Sequence, residues 1–208
     1  MKKTFFVILS FLIVIISSSS CYSPSKAPYE DFYYFENYSG DLYFPEVIGI
    51  TDFENGWYSH QLLALEEPII YAQKDSYKTI YRFTCLRTFH NPFSIRIEID
   101  EHEASAMLFF KMSSGAGGYD PGELMISEQK KLESEEFKSL VNVMGKYNYW
   151  ELPFEDGSLG LDGSEWIIEL LEDNKYHAIS RWTPSNCEVY DLGNIFIELS
   201  GQNIEELY

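Results

Sequence analysis

Strict alternation of apolar and polar residues is the feature that most restricts the fold of this chain. Residues 93–100 read FSIRIEID, with apolar side chains at the odd positions and polar ones at the even positions. Because successive side chains of a β-strand point to opposite faces, this pattern predicts a strand with one buried face. The same period from Tyr81 to Phe89 predicts a preceding strand, and Asn91-Pro92 separates the two.

Further strands are predicted on both sides of a glycine-rich stretch. Residues 104–112 are apolar at both parities, which is typical of a strand covered on both faces. Residues 113–122 (SSGAGGYDPG) predict a long hairpin turn. A phosphate-binding P-loop is excluded, since the stretch lacks Gly-Lys-Ser/Thr and residues 123–126 continue as a strand rather than a helix.

Three segments have helical periodicity. The first, residues 57–65, ends before Pro68, which stops a helix. The second is predicted from a cap at Ser134 to Gly145, because apolar residues repeat at positions 137, 140, 141 and 144. The third runs from a cap at Asp191 to Gly201. We therefore predict an α+β fold, an antiparallel sheet of hairpins with two or three helices packed on it.

One hairpin permits an argument about strand register. Residues 165–171 and 175–182 form two extended runs, and a three-residue loop over 172–174 with Asn174 in the left-handed conformation would join them. A two-residue loop over 173–174 would shift the pairing by one residue. We favour the longer loop because it gathers opposite charges on one sheet face and apolar groups on the other.

The favoured register makes two specific pairs. It places Glu165 opposite Arg181 and Glu169 opposite His177. The neighbouring carboxylate would favour the imidazolium form of His177. The simplest interpretation is a pair of cross-strand ion pairs on a solvated face.

The first 20 residues predict an export signal. Lys2 and Lys3 precede a twelve-residue apolar run, which is too short to span a bilayer comfortably. Four serines directly before Cys21 resemble the lipobox of bacterial lipoproteins, although Ser18 stands where that motif has an aliphatic residue. We expect cleavage before Cys21 and lipidation of its thiol, with ordinary cleavage or an uncleaved anchor as the alternatives.

This signal determines the predicted domain organisation and cellular location of the chain. Residues 1–20 are the signal peptide, 21–45 a tether rich in tyrosine and acids, and 46–208 a single α+β domain. We expect a protein of the cell envelope, anchored to a membrane on its non-cytoplasmic side. That compartment is oxidising, which makes Cys85 and Cys187 candidates for a disulfide. The sequence does not decide whether they pair.

Charge and motif content exclude several classes of function. The 208 residues carry 15 Lys and Arg against 33 Asp and Glu, a net charge of −18, which repels a phosphate backbone and argues against nucleic-acid binding. The chain has neither H-x-x-x-H nor C-x-x-C spacing, so we predict no metal site. The sequence indicates no cofactor, and no catalytic motif is complete.

Arg87 is the residue whose pattern most suggests a specific site. It falls on the apolar parity of its strand, and a buried guanidinium needs a partner. Asp162 or Glu165 would supply a bidentate carboxylate. Structural pairing is the first interpretation, and a clamp for a substrate carboxylate is the second.

Four sequence blocks resemble an uncharacterised bacterial family that is often exported. They are LRTFHNP at 86–92, SGAGGY at 114–119, DGSEW at 162–166, and YH at 176–177 with RWTP at 181–184. The family pattern is LR[ST]FHxP, SGAGGY, DGxxW and YHxxxRWxP, and it covers about half of the chain. The resemblance implies no activity and no cofactor. It points to one shared cluster of His90, Asp162, Trp166, His177, Arg181 and Trp182. Together with Arg87 and Glu165 from the strand argument, these residues form the candidate binding or structural cluster.

We expect a non-catalytic lipoprotein that binds a protein or small-molecule partner. The alternatives are an exported hydrolase that uses His90 or His177 with Asp162 or Glu165, and an immunity or inhibitor protein whose acidity attracts a basic partner. The hydrolase requires the histidine and the carboxylate to meet in one cleft, whereas a binding protein does not.

Overall fold

A six-stranded antiparallel sheet organises the chain, as predicted for an α+β fold. The computed structural model describes Phe35 and residues 37–74, 78–100, 105–158 and 160–208, so the predicted signal, Cys21 and most of the tether lie outside the described residues. The strands are β1 Lys78–Arg87, β2 Phe93–Asp100, β3 Ser105–Ser113, β4 Leu124–Glu133, β5 Ser164–Glu172 and β6 Lys175–Trp182. Their order is β4-β3-β2-β1-β5-β6.

Three helices pack on this sheet: α1 Asp52–Ala64, α2 Lys138–Lys146 and α3 Glu188–Ser200. α1 begins before the predicted Trp57 because Thr51 and Glu54 form a capping box. Thr51 Oγ1 accepts a hydrogen bond from Glu54 N at 3.2 Å, and Thr51 N donates to Glu54 Oε2 at 3.0 Å. These two bonds satisfy amides that would otherwise lack partners at the start of the helix.

Three of the four predicted boundaries of α2 and α3 are wrong. Ser134 does not cap α2, because pairing of β4 with β3 keeps the chain extended to Glu133 and the helix begins only at Lys138. Gly145 lies inside α2 rather than at its end. Asp191 lies in the first turn of α3, whose N-cap position is Cys187. The end of α3 is confirmed, since Gly201 adopts the left-handed conformation with φ 72°.

The central strands β1 and β5 are buried on both faces. The larger core lies on the α2/α3 face and contains Phe83 of β1, Trp166 of β5 and Phe196 of α3. On the α1 face, Leu62 of α1 packs with apolar residues of β1, β5 and β6. Tyr43 and Phe44 are buried on the same face, although the sequence placed them in the tether. Within the described residues, no helix is long and apolar enough to cross a membrane.

The register predicted for the β5–β6 hairpin is wrong. Asp173 and Asn174 form a two-residue turn with φ 49° and 62°, which is the geometry that suits a tight hairpin. Trp182 therefore lies opposite Glu165, and Trp166 opposite Arg181. The argument from charges failed because it assumed a solvated face, whereas β5 is buried on both faces.

The predicted contact between Glu169 and His177 is absent for the same reason. Glu169 pairs with Ala178 on the α1 face, while His177 pairs with Leu170 on the α2/α3 face. Glu169 finds its partner across the other strand junction, where Arg82 of β1 lies directly opposite. Arg82 Nε donates to Glu169 Oε2 at 2.6 Å, and both side chains are completely buried.

Glu67 extends this buried ion pair into a network. Arg96 Nε donates to Glu67 Oε2 at 2.8 Å, and Arg82 Nη1 approaches the same oxygen at 3.5 Å. Lys111 Nζ lies 3.7 Å from Glu67 Oε1. The buried charged residues of the α1 face thus pair with one another.

The two cysteines of the domain are free thiols. Cys85 is fully buried on the α2/α3 face, and Cys187 precedes α3. Burial raises the pKa of the Cys85 thiol, so it is not a reactive nucleophile.

Candidate functional site

The first three sequence blocks and the RWTP part of the fourth meet at one end of the sheet. The end of β1, the β3–β4 turn, the start of β5 and the end of β6 all lie at this end because neighbouring strands run antiparallel. Thr88 joins two blocks: its backbone N–H donates to Gly163 O at 2.9 Å, and its Oγ1 accepts from Gly163 N at 3.2 Å. Gly117 N donates to Arg87 O at 2.8 Å and joins a third.

The glycine-rich turn owes its composition to this close packing. A Cβ atom on Gly117 would lie 2.5 Å from Arg87 N and 2.6 Å from Leu86 C, so only glycine fits. α1 holds the turn from the other side. Trp57 Nε1 donates to Gly117 O at 2.7 Å, and Gln61 Nε2 donates to Tyr119 O at 2.9 Å.

A cavity of about 390 Å³ lies where these elements meet. Its main walls are Trp57 of α1, Tyr119 of the turn and Trp182 of β6, and Glu165 of β5 lines it between them. Phe53 precedes Trp57 by one helical turn, with ring centroids 6.1 Å apart, and extends the same wall. The cavity is therefore mostly aromatic with a small number of polar groups, which is typical of a small-molecule site.

Glu165 is the most perturbed acid of the cavity. It is only 8% exposed, and Ser180 Oγ of the neighbouring strand donates a hydrogen bond to its Oε1. Burial, together with the nearby charges of Glu54, Glu155 and Asp156, raises the pKa of Glu165 to about 8, although the bond from Ser180 opposes the shift. Perturbed acids of this kind cluster at functional sites.

A second perturbed acid lies beside it. Burial and contact with Glu54 raise the pKa of Glu155 to about 7. Two carboxyl groups this close to each other disfavour simultaneous ionisation. Glu155 Oε1 is buried and has no hydrogen-bond partner.

The nearest strong cation is already paired elsewhere. Arg181 is 5% exposed, and its Nη2 lies 2.7 Å from Glu188 Oε1 while its Nε lies 3.6 Å from Asp156 Oδ2. Its Nη1 donates to Phe154 O at 3.0 Å. Among the described residues that line the cavity there is no Lys, Arg or His.

Arg87 does not pair with Asp162 or Glu165, as the sequence had suggested. Its Nη1 donates to Glu205 O at 2.7 Å, and its Nη2 donates to Asn91 O, also at 2.7 Å. These carbonyl oxygens satisfy the buried guanidinium without a carboxylate, because the C-terminal segment covers this end of β1.

The two candidate histidines lie away from the cavity. His90 contacts the C-terminal segment, with Nε2 2.5 Å from Glu206 Oε2 and a hydrogen bond between its Nδ1 and Tyr208 OH. His177 is half-buried, and its Nε2 lies 2.8 Å from Leu152 O. Burial lowers the pKa of His177, the reverse of the expected shift, because the predicted carboxylate is on the other sheet face.

Trp166 and Asp162, the remaining members of the predicted cluster, also lie outside the cavity lining. Trp166 is buried on the α2/α3 face and stacks on Tyr190 with centroids 6.1 Å apart. Asp162 is exposed in the loop beside Leu161, a residue of the cavity rim. Of the eight residues predicted, only Glu165 and Trp182 line the cavity.

Sequence reasoning missed the contribution of α1 and the loop before β5. Glu54, Trp57 and Tyr58 come from α1, which was recognised as a helix but not as a wall of the site. The Thr51 and Glu54 pair was a readable capping signal. Nothing in the sequence placed Glu155 beside Glu54, since the two are brought together only by the fold.

No protein-family model and no curated protein sequence matches the chain. In the part of the chain that the structure describes, no group of three or more His, Cys, Asp or Glu is arranged to hold a metal ion. None of the described cavity-lining residues is Ser, Cys or His, so the cavity has no activated nucleophile of those types. Its described lining offers aromatic surfaces, hydrogen-bond acceptors and carboxyl groups.

Proposed function

We propose that this chain is an exported lipoprotein of the bacterial cell envelope that binds a small molecule without transforming it. The lipid on Cys21 anchors it to a membrane, and the cavity at the end of the sheet is the binding site. The observation that carries the proposal is the cavity itself, about 390 Å³ with aromatic walls around the buried Glu165.

The rigidity of the cavity supports a binding role. Glu165 and Trp182 occupy opposed positions on paired strands, and the β3–β4 turn is fixed to α1 by the indole of Trp57. A preformed site loses little conformational entropy when a ligand enters. The resemblance to an exported bacterial family fits this picture, because each of its four blocks contributes at least one residue to the cavity lining.

The hydrolase alternative would need a histidine beside a carboxylate in this cavity. His90 and His177 contact other parts of the molecule and do not line the cavity. The cavity therefore favours binding over hydrolysis. The inhibitor alternative stays a prediction that rests on the acidity of the chain.

The anchor is tested by metabolic labelling with palmitate and membrane fractionation of the full chain. We expect label in the wild type and none in Cys21→Ser, which would leave the membrane fraction. An unprocessed, unlabelled wild-type chain in the cytoplasm would contradict the proposal.

The cavity is tested by native mass spectrometry of the full chain in detergent after incubation with a small-molecule extract of bacterial envelopes. Tyr119 is 44% exposed, so Tyr119→Ala removes a wall with little effect on the core. Phe89→Ala is the matched control, because Phe89 stacks on Tyr119 with centroids 6.1 Å apart but lies outside the cavity. We expect a bound mass in the wild type and Phe89→Ala that is lost in Tyr119→Ala. Equal adducts in all three proteins would contradict this site.

A further inference from the structure

The cavity is lined by carboxyl groups, and none of its described lining residues is basic. Glu165 and Glu54 line it, and Glu155 lies against Glu54 at its edge. Arg181 is paired with Glu188 and Asp156 and does not reach the lining. Carboxylates in a mostly apolar site are costly unless a cation compensates them.

Aromatic faces surround these carboxyl groups. Trp57 and Trp182 stand on different elements and line the same space, together with Tyr119. The face of an aromatic ring is electron-rich and attracts a cation within about 6 Å of its centre. Ammonium ligands are recognised by this combination of aromatic walls and carboxylates.

We propose that the ligand of this cavity is an organic ammonium ion, held by the Glu165 carboxylate and the rings of Trp57, Tyr119 and Trp182. This inference rests on the proposed binding function and names its ligand class. Its size is bounded by the cavity: 390 Å³ is the volume of about a dozen water-sized groups.

Other ligand chemistries fit the same walls less well. An anion would meet Glu54 and Glu165 with no basic residue among the described lining to receive it. A bare metal ion would need several converging ligands, and the described residues form no such group. A neutral sugar would stack on the rings but would bring no positive charge to pair with Glu165.

The titration of these acids gives the proposal a second readout. The groups that face Glu165 are Glu54 and Tyr58 of α1, Ser180 of β6, and Glu155 and Asp156 of the preceding loop. Mutual repulsion and burial keep protons on Glu165 and Glu155 near neutral pH. A bound cation stabilises the ionised carboxylates, so its binding releases protons.

The test is isothermal titration of the full chain in detergent with matched pairs of probes. Choline is compared with its neutral analogue 3,3-dimethylbutan-1-ol, and benzylammonium with benzyl alcohol. We expect at least one cation to bind tenfold or more tightly than its neutral partner. At pH 7 the binding heat should differ between buffers of different ionisation enthalpy, because protons are released.

Charge-removing variants locate the effect. Glu165→Gln keeps the shape and should weaken the cation tenfold or more while leaving its neutral analogue unchanged. Glu172→Gln is the matched control, since it removes one charge from the other end of the same strand and should change neither affinity. Glu155→Gln, in the loop, gives an independent measurement if Glu165→Gln folds poorly.

The outcomes separate this inference from the proposed function. Equal binding of cation and neutral analogue, or unchanged cation affinity in both Glu165→Gln and Glu155→Gln, would overturn the ammonium assignment and leave a binding cavity. If a neutral sugar such as cellobiose binds and the cations do not, the ligand class is wrong and the site is right. Failure of every cation, neutral analogue and sugar to bind would overturn both.

Discussion

Replacing Arg82 by methionine tests whether the α1 face depends on its buried charges. Arg82 is completely buried, and its Nε donates to Glu169 Oε2 at 2.6 Å while its Nη1 donates to Pro68 O at 2.8 Å. In Arg82→Met the carboxylate of Glu67 still has its ion pairs with Arg96 and Lys111. Glu169 keeps only the hydroxyl of Tyr176, which donates to its Oε1 at 2.8 Å.

The cost follows from leaving a carboxylate buried without its cation. Removing one partner of a buried pair costs about 3–5 kcal/mol. For a domain of this size each kcal/mol corresponds to about 2–4 °C, so the melting temperature should fall by roughly 6–20 °C. The loss should be complete above the raised pKa of the unpaired Glu169 and should shrink as the pH falls towards about 4, where the carboxyl is protonated in both states.

The assay is urea unfolding at pH 7 followed by tryptophan fluorescence. Lys78→Met is the control on the same strand, because Lys78 forms a 2.7 Å ion pair with Glu98 but its side chain is 38% exposed. That surface pair should cost less than about 1 kcal/mol. The double variant Arg82→Met/Glu169→Leu should recover most of the stability, since apolar groups can replace a buried pair. Similar losses for Arg82→Met and Lys78→Met, or a double variant no more stable than Arg82→Met, would refute the reasoning.

Three further measurements address the cavity, the turn and the thiols. The pKa of Glu165 is raised to about 8 from about 4.3 in the unfolded chain, so the free energy of unfolding should fall as the pH rises from about 4 to 8. Glu165→Gln should flatten this pH profile. Urea unfolding at several pH values measures both. Gly117→Ala should cost at least about 1–3 kcal/mol because its Cβ meets the backbone of β1 at 2.5 Å. Gly145→Ala is the control: its Cβ would meet no atom within 4 Å, so it should stabilise the protein by about 0.5–1 kcal/mol within helix α2. An equal loss of stability in both variants would contradict the packing argument. Cys85 is fully buried and should react with a thiol reagent only at the rate of global unfolding, whereas Cys187 should react in the native state; fast modification of both would show that the core opens locally.

The sequence was informative wherever local pattern decides structure. The alternation in residues 93–100 predicts β2 because a period of two has no other regular structure that satisfies it. Gly201 marks the end of α3 because its left-handed φ of 72° is costly for other residues. The glycine-rich turn was also predicted, and Gly117 gives its physical reason in the contact with β1.

The candidate site could be predicted only in part, because most of its walls are far apart in the chain. The sequence blocks supplied Glu165 and Trp182, and the strand pairing brings these two together. Trp57 and Glu54 reach the cavity only because α1 packs across the sheet end, a placement that helical periodicity does not specify. The sequence blocks grouped His90 and His177 with the site, but a sequence block does not specify where its side chains point in the fold.

The chain by itself determined its alternating strands, its glycine-rich turn and its acidic net charge of −18. Only the tertiary structure decided the pairing of β5 with its two neighbours, which places Glu169 opposite Arg82 of β1 and His177 opposite Leu170 on the other sheet face. A one-residue shift moves every side chain of a strand between faces, and both faces here are buried. The choice was therefore made by packing against α1, α2 and α3, which a pattern within two strands does not contain.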